Sequence, residues 1–153
     1  MRSFVFCAGL SLLAIGCASD RPTGLAQVPA SADGSISAAG VAIIGVVTGR
    51  SAAGDTVALR FVNSGPDTAY IPRCGADPLV LTQQFVNGTW IGGVQNFMCI
   101  APSAPGPVRL DPGASVTVIR VVQAGRYRMT ASVATKADLS NALPVVSNAV
   151  DAP

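Results

Sequence analysis

With 153 residues, half of them apolar, the chain has material for one hydrophobic core and not for two. Charged residues are only 12 % of the chain and the net charge is +2, so no basic surface of the kind that binds nucleic acid is expected. Histidine is absent, which removes the commonest general base and the commonest metal ligand together and makes most hydrolase mechanisms unexpected.

The first sixteen residues read as an export signal. One cation, Arg2, precedes an apolar stretch, and small residues follow at the cleavage point. The end of this stretch, Ala14-Ile15-Gly16-Cys17, resembles a bacterial lipobox. In such a signal the peptidase cuts before a Cys that already carries a diacylglyceryl group on its sulfur. Residues 1–16 are then a lipoprotein signal peptide and Cys17 the lipidated first residue of the mature chain. Ala14 stands where Leu is usual. An ordinary secretory signal cut after Ala18 would instead discard Cys17, and the two alternatives place the protein differently, because stable anchoring takes more than one acyl chain. The resemblance implies a palmitate-type acyl modification, a membrane partner through Cys17 and a place in the bacterial cell envelope. It leaves open which membrane.

Residues 17–40 are rich in Ala, Ser, Gly, Pro and Asp without periodicity, which reads as a tether. A flexible coil of about 20 residues would hold the following domain on the order of 25 Å from the lipid. From Val41 to the end, at 153, the pattern changes to short β runs broken by turn residues. The run Val41 to Val47 is far too short to cross a bilayer as a helix.

The clearest strand is Asp55 to Asn63, where Val57, Leu59 and Phe61 alternate with Ala58, Arg60 and Val62. A turn at Asn63-Ser64-Gly65-Pro66-Asp67 ends it. Thr68 to Cys74 follows, demoted to an edge or irregular strand by Pro72. Leu79–Val86, Asn87-Gly88 and Thr89–Val94 form the strongest hairpin signal, since Asn-Gly suits the positive φ angles of a type I′ turn. Asn87-Gly88-Thr89 also matches the glycosylation triplet, but the turn already accounts for it. Residues 101–107, with three prolines, form a loop. Asp111-Pro112-Gly113 makes a turn, Ser115–Val122 reads as a buried strand, and Gly125–Val133 places Tyr127, Met129, Ala131 and Val133 on one face. Val145–Val150 is the expected last strand.

Gly125-Arg126-Tyr127-Arg128-Met129, preceded by the Leu110-Asp111-Pro112-Gly113 turn and a Val-rich strand, resembles strands E and F of an immunoglobulin-like sandwich. In that fold a Tyr near the start of strand F bonds back to the backbone at the corner, two residues before a core Cys. The resemblance gives Tyr127 the corner role and puts Met129 in the place of the Cys. It implies an all-β, immunoglobulin-like antiparallel sandwich of about 7–8 strands over residues 41–153. In strand–turn–strand rhythm the segment is also similar to the Ig-like domain named after an intracellular proteinase inhibitor of bacilli, which would imply protease inhibition through an exposed loop, here 101–107.

Cys74 and Cys99 are the mature thiols besides Cys17, and in an exported chain a disulfide between them is expected. Closing a loop of about 26 residues would contribute roughly 3.5 kcal/mol in the chain-entropy model. A metal site or a nucleophile at these cysteines lacks partner residues. All eight acids are Asp, most in turn surroundings, with no calcium-loop spacing. Ser132 and Lys136 match no Ser–Lys motif, and Gly-x-Ser-x-Gly is missing. The expectation is a protein that is not an enzyme and uses no cofactor or metal. Its function is then a membrane-anchored protein-interaction or structural module, with the Cys74–Cys99 segment, Trp90, Phe97 and Met98 as the surface. The alternative is a cell-wall or carbohydrate binder in which Trp90 stacks on a sugar and Gln83, Gln84, Gln95 and Asn96 supply amide hydrogen bonds.

Overall fold

Val, Ile and Thr crowd the backbone at Cβ and favour extended strands, while Gly, Asn and Asp supply the reversals between them. In the computed structural model, which describes residues 35–93 and 106–153, these preferences produce an all-β chain without a helix among the described residues. The strands are β1 (Val41–Ser51), β2 (Gly54–Asn63), β3 (Ala69–Ile71), β4 (Arg73–Cys74), β5 (Asp77–Pro78), β6 (Leu81–Val86), β7 (Thr89–Gly92), β8 (Val108–Leu110), β9 (Ser115–Val122), β10 (Gly125–Val133), β11 (Leu143–Val146) and β12 (Val150–Ala152). One antiparallel sheet has the order β1-β2-β9, and a second has the order β11-β10-β6-β7 with β12 also paired to β10. Two small ribbons, β3-β8 and β4-β5, complete the set.

The inward residues of β2, namely Val57, Leu59 and Phe61, are fully buried and join Met129, Ala131 and Val133 of β10 in one hydrophobic cluster. Tyr127 and Val150 belong to the same cluster. The core therefore lies between the two larger sheets, and the alternation read from residues 55–63 and 125–133 is the alternation that builds it. The Asn87-Gly88 hairpin forms as its sequence demands. Both residues have positive φ, 49° and 82°, and Val86 pairs with Thr89 across the turn.

Other expectations are revised. Thr68–Cys74 is split at Pro72 into β3 and β4, because proline cannot donate to a ladder. The expected last strand is two strands, β11 and β12, broken at Ser147 and Asn148. Strand β8 falls on residues the sequence left without an element. Ser115–Val122, expected to be buried, is an edge strand: Ile119 and Val121 are 52 % and 57 % exposed. The doubly buried strand is β10, where Arg128, Thr130 and Ser132 are covered as fully as the apolar residues that alternate with them. An apolar run identifies a strand, but its neighbours decide whether it is central.

Polar side chains close the breaks. Asn63, fully buried, donates from Nδ2 to the carbonyls of Asp67 at 2.8 Å and Leu110 at 2.9 Å, and its Oδ1 accepts from Gly65 N at 3.0 Å. One side chain thus ties the end of β2 to its turn and to β8. At the break after β11, the Ser147 hydroxyl accepts from Met129 N at 2.9 Å. The Asn148 amide pairs with both backbone groups of Gly45, accepting from N at 2.8 Å and donating to O at 3.0 Å. That amide links the two sheets and occupies the free edge of β1.

Asn63→Ala leaves the buried Leu110 carbonyl without its donor, so a loss of about 2–3 kcal/mol in urea-unfolding stability is expected, with the slope unchanged. A loss under about 0.5 kcal/mol would contradict the tie.

Candidate functional site

The polar face of β10 gathers the residues with the most unusual surroundings. Tyr127 and Met129 point into the core, so Arg126 and Arg128 lie on the opposite face. Register sets Arg128 opposite Gln83 on β6, and the tight hairpin sets Phe85 opposite Trp90 on β7. Because directly opposite residues share a face, these side chains assemble into one layer across three strands.

Within the layer, Arg128 is 1 % exposed. Its Nε donates to Gln83 Oε1 at 2.6 Å, and its guanidinium carbon lies 4.7 Å from the centre of the Trp90 ring. Phe85 meets Trp90 at 5.0 Å between ring centroids with planes tilted by 55°. Arg126 sits over Phe85 at 5.4 Å and approaches Asp151 at 3.8 Å, an exposed pair that contributes little. A guanidinium keeps its charge at all ordinary pH values, so burying it requires charge-accepting neighbours. The Trp90 face and the Gln83 carbonyl oxygen are two of them.

Trp90 is 4 % exposed, and Arg128 and Phe85 occupy its ring. It is therefore an element of packing between strands and offers no open face for a sugar to stack on. Its indole Nε1 is buried without a hydrogen-bond partner, so ring contacts hold it. Of the amides read as sugar ligands, Gln83 is spent on Arg128. Gln95 and Asn96 lie outside the described residues, as do Phe97, Met98, Cys99, Cys17 and most of the 101–107 loop. Cys74 is half-buried in β4, beside a turn in which Gly75 has φ of 65°. Tyr127 is buried at the start of β10, and its hydroxyl lies 3.3 Å from the place a Gly125 side chain would take. The ring folds back over the glycine that opens the strand.

The acids remain separate. Asp55, the first residue of the expected strand, is buried at the start of β2 and receives Arg50 Nε at 3.0 Å. Asp111 and Asp138 hold turns: Arg109 Nε and the Thr68 hydroxyl reach Asp111 at 2.8 Å and 3.0 Å, and Ser140 N reaches Asp138 at 2.9 Å. The Arg109 guanidinium, then the Thr68 hydroxyl, holds the Asp111 carboxyl below its usual range, and the Ser140 bonds do the same for Asp138. No group of three metal-ligating side chains occurs among the described residues.

The layer on β10 was partly legible. A two-residue turn fixes Phe85 opposite Trp90, and alternation puts Arg126 and Arg128 on one face. That β6 lies beside β10 could not be read locally, so Arg128 was not connected to Trp90. No family model matches the chain, and no curated protein matches it.

A double-mutant cycle on Arg128→Met and Trp90→Phe is expected to give a coupling of about 1 kcal/mol or more. Trp90 is the sole tryptophan, so Arg128→Met alone should also change its emission in the folded state. Additive effects with unchanged emission would contradict the stacking.

Both lowered carboxyls favour the folded state above their unfolded pKa and lose that contribution as pH falls through the folded value. The thermal midpoint should be flat above about pH 5 and decline below about pH 4. The combined Asp111→Asn, Asp138→Asn protein should show a shallower acid decline, measured by circular dichroism from pH 7 to pH 2.

Proposed function

We propose that this chain is a lipid-anchored, non-catalytic protein of the bacterial cell envelope, and that its β domain is an immunoglobulin-like sandwich serving as a protein-interaction or structural module. The observation that carries the reading is Ala14-Ile15-Gly16-Cys17 at the end of an apolar segment led by Arg2. Acylation of the Cys17 sulfur, with further acylation of the new N-terminus, supplies the two or more chains that stable membrane attachment needs.

The arrangement of strands supports the domain assignment. Orders β1-β2-β9 and β11-β10-β6-β7 correspond to the A-B-E and G-F-C-C′ sheets of an immunoglobulin-like domain, with β10 as strand F. Tyr127 then occupies the corner position and Met129, fully buried, takes the place of the core Cys. Cys74 is not a free thiol, which supports a staple from Cys74 to Cys99 across the segment that carries the Trp90 hairpin. Such a staple fixes the loop end of the domain, where sandwich proteins present their binding surfaces. The layered Arg128, Trp90 and Phe85 give that hairpin a rigid base. The same burial of Trp90 favours an interaction module over a sugar-stacking one.

Mass spectrometry of the mature protein tests the reading. The expected N-terminal peptide begins at Cys17 and carries diacylglyceryl and acyl mass. Cys17→Ser should abolish both the lipid and the cut before residue 17, and non-reducing digestion should yield one peptide pair joined through Cys74 and Cys99. An unmodified N-terminus at Ser19 would overturn the lipid anchor.

A further inference from the structure

The sheet β1-β2-β9 has one face on the core and a second face that carries an unusual surface. Across the register, Ile44 lies beside Arg60, Val46 and Ile119 lie on either side of Ala58, and Val121 lies beside Thr56. Ile44, Val46, Ile119 and Val121 are 47 %, 54 %, 52 % and 57 % exposed. Four branched aliphatic side chains thus stand in water on successive outer-face rungs of β1 and β9, with Arg60, Ala58 and Thr56 of β2 between them. Isolated exposed aliphatics are ordinary, but a clustered set on one face marks an interaction site.

The charge on this face is of one sign. Arg60 is its one cation, exposed and turned toward the Ser115 hydroxyl at 3.2 Å. The one carboxylate of the three strands, Asp55, is buried on the core side. A second copy laid on this face would bring Arg60 against apolar rungs with no acid to receive it. A lipid–water interface receives both components, because acyl chains take the aliphatic groups and phosphates take the guanidinium.

Each sheet edge carries an obstacle to an added strand. The Asn148 amide occupies β1 at Gly45. On β9, Arg120 points to the core side and donates to the Ile119 carbonyl at 2.8 Å, and an inward-pointing charge of this kind resists strand addition. What the sheet offers is its face. The chain also enters the fold beside it, since Ile36 and Ile44 line the same groove of about 390 Å³.

From these observations we infer that the outer face of β1-β2-β9 lies against an anionic lipid surface, with Ile44, Val46, Ile119 and Val121 at the acyl boundary and Arg60 on phosphate. This rests on the anchored reading above and adds an orientation to it. The anchor brings the domain to the bilayer, and this face sets which side it presents to it. The Trp90 hairpin belongs to the other sheet and is left to face partners.

The test uses the full-length protein, processed by its host and reconstituted in vesicles of phosphatidylglycerol and phosphatidylethanolamine with brominated acyl chains. In a Trp90→Phe background, Ile119→Trp places the reporter on the proposed face and Ile91→Trp, also exposed, places it on the other sheet. Equal melting midpoints establish that both variants fold. Quenching at least twofold stronger for Ile119→Trp than for Ile91→Trp is expected. It should fall to the Ile91→Trp level when Val46→Asp is added, and weaken with Arg60→Gln on anionic but not on phosphatidylcholine vesicles. Equal quenching at the two positions, or none, overturns the orientation whatever the N-terminal mass shows. Concentration-dependent dimerisation without quenching overturns it in favour of a second copy. Quenching at 119 in a protein whose N-terminal mass lacks lipid overturns the anchor and leaves the face.

Discussion

Everything in this fold is hung on a strand buried from both sides. β10 pairs with β6, β11 and β12, faces β2 across the core through Met129 and its neighbours, and on its other side encloses Arg128. Core packing alone would call for an apolar strand there. The chain instead alternates aliphatic and hydrogen-bonding residues, so each face has its own chemistry: close-packed hydrocarbon on one and a guanidinium stacked on indole on the other. Such a strand is specified twice over. A shift of one residue would drive Arg126 and Arg128 into the hydrocarbon and put Tyr127 and Met129 in the layer built for a guanidinium. Register is fixed by the cost of the wrong alternative as much as by the gain of the right one.

The same economy appears where the ladders stop. Sheets need their backbone groups satisfied at breaks and edges, and this chain uses short side chains for the purpose. Ser147 continues the pairing of β10 past the end of β11, Asn148 stands in for a strand beside β1, and Asn63 fastens a turn and a ribbon to the end of β2. These residues lie at element ends, where the hydrophobic pattern fades. They carry the connectivity that makes separate ribbons one domain.

That division explains what the sequence could and could not disclose. Alternation at Val57, Leu59 and Phe61 and at Tyr127, Met129 and Ala131 is a local signal, as is the Asn87-Gly88 turn, and each leads directly to its element. The candidate surface was half legible: the hairpin placed Trp90, but the partner that covers its ring lies 38 positions onward at Arg128. The misjudged burial of β9 has the same origin. Ile119 and Val121 have the composition of a central strand, and only the register shows that they face away from the core while Val118 and Val122 face it. Asn63 reads as a turn former, and Asp55 and Asn148 fall within expected strands; the bonds each makes depend on which groups reach it.

The junction at Ile36 bears on mechanics. Before entering β1, the chain is fastened to β11 by two backbone bonds with Val146, at 3.0 Å and 2.8 Å. Further along, Ala38 and Val41 bond to each other, and Gly40 receives Ser64. A pull from the N-terminal side reaches the Ile36–Val146 bonds before it loads β1. Extension there would be absorbed by a few reversible bonds while the Asn148 clamp on Gly45 keeps the two sheets together.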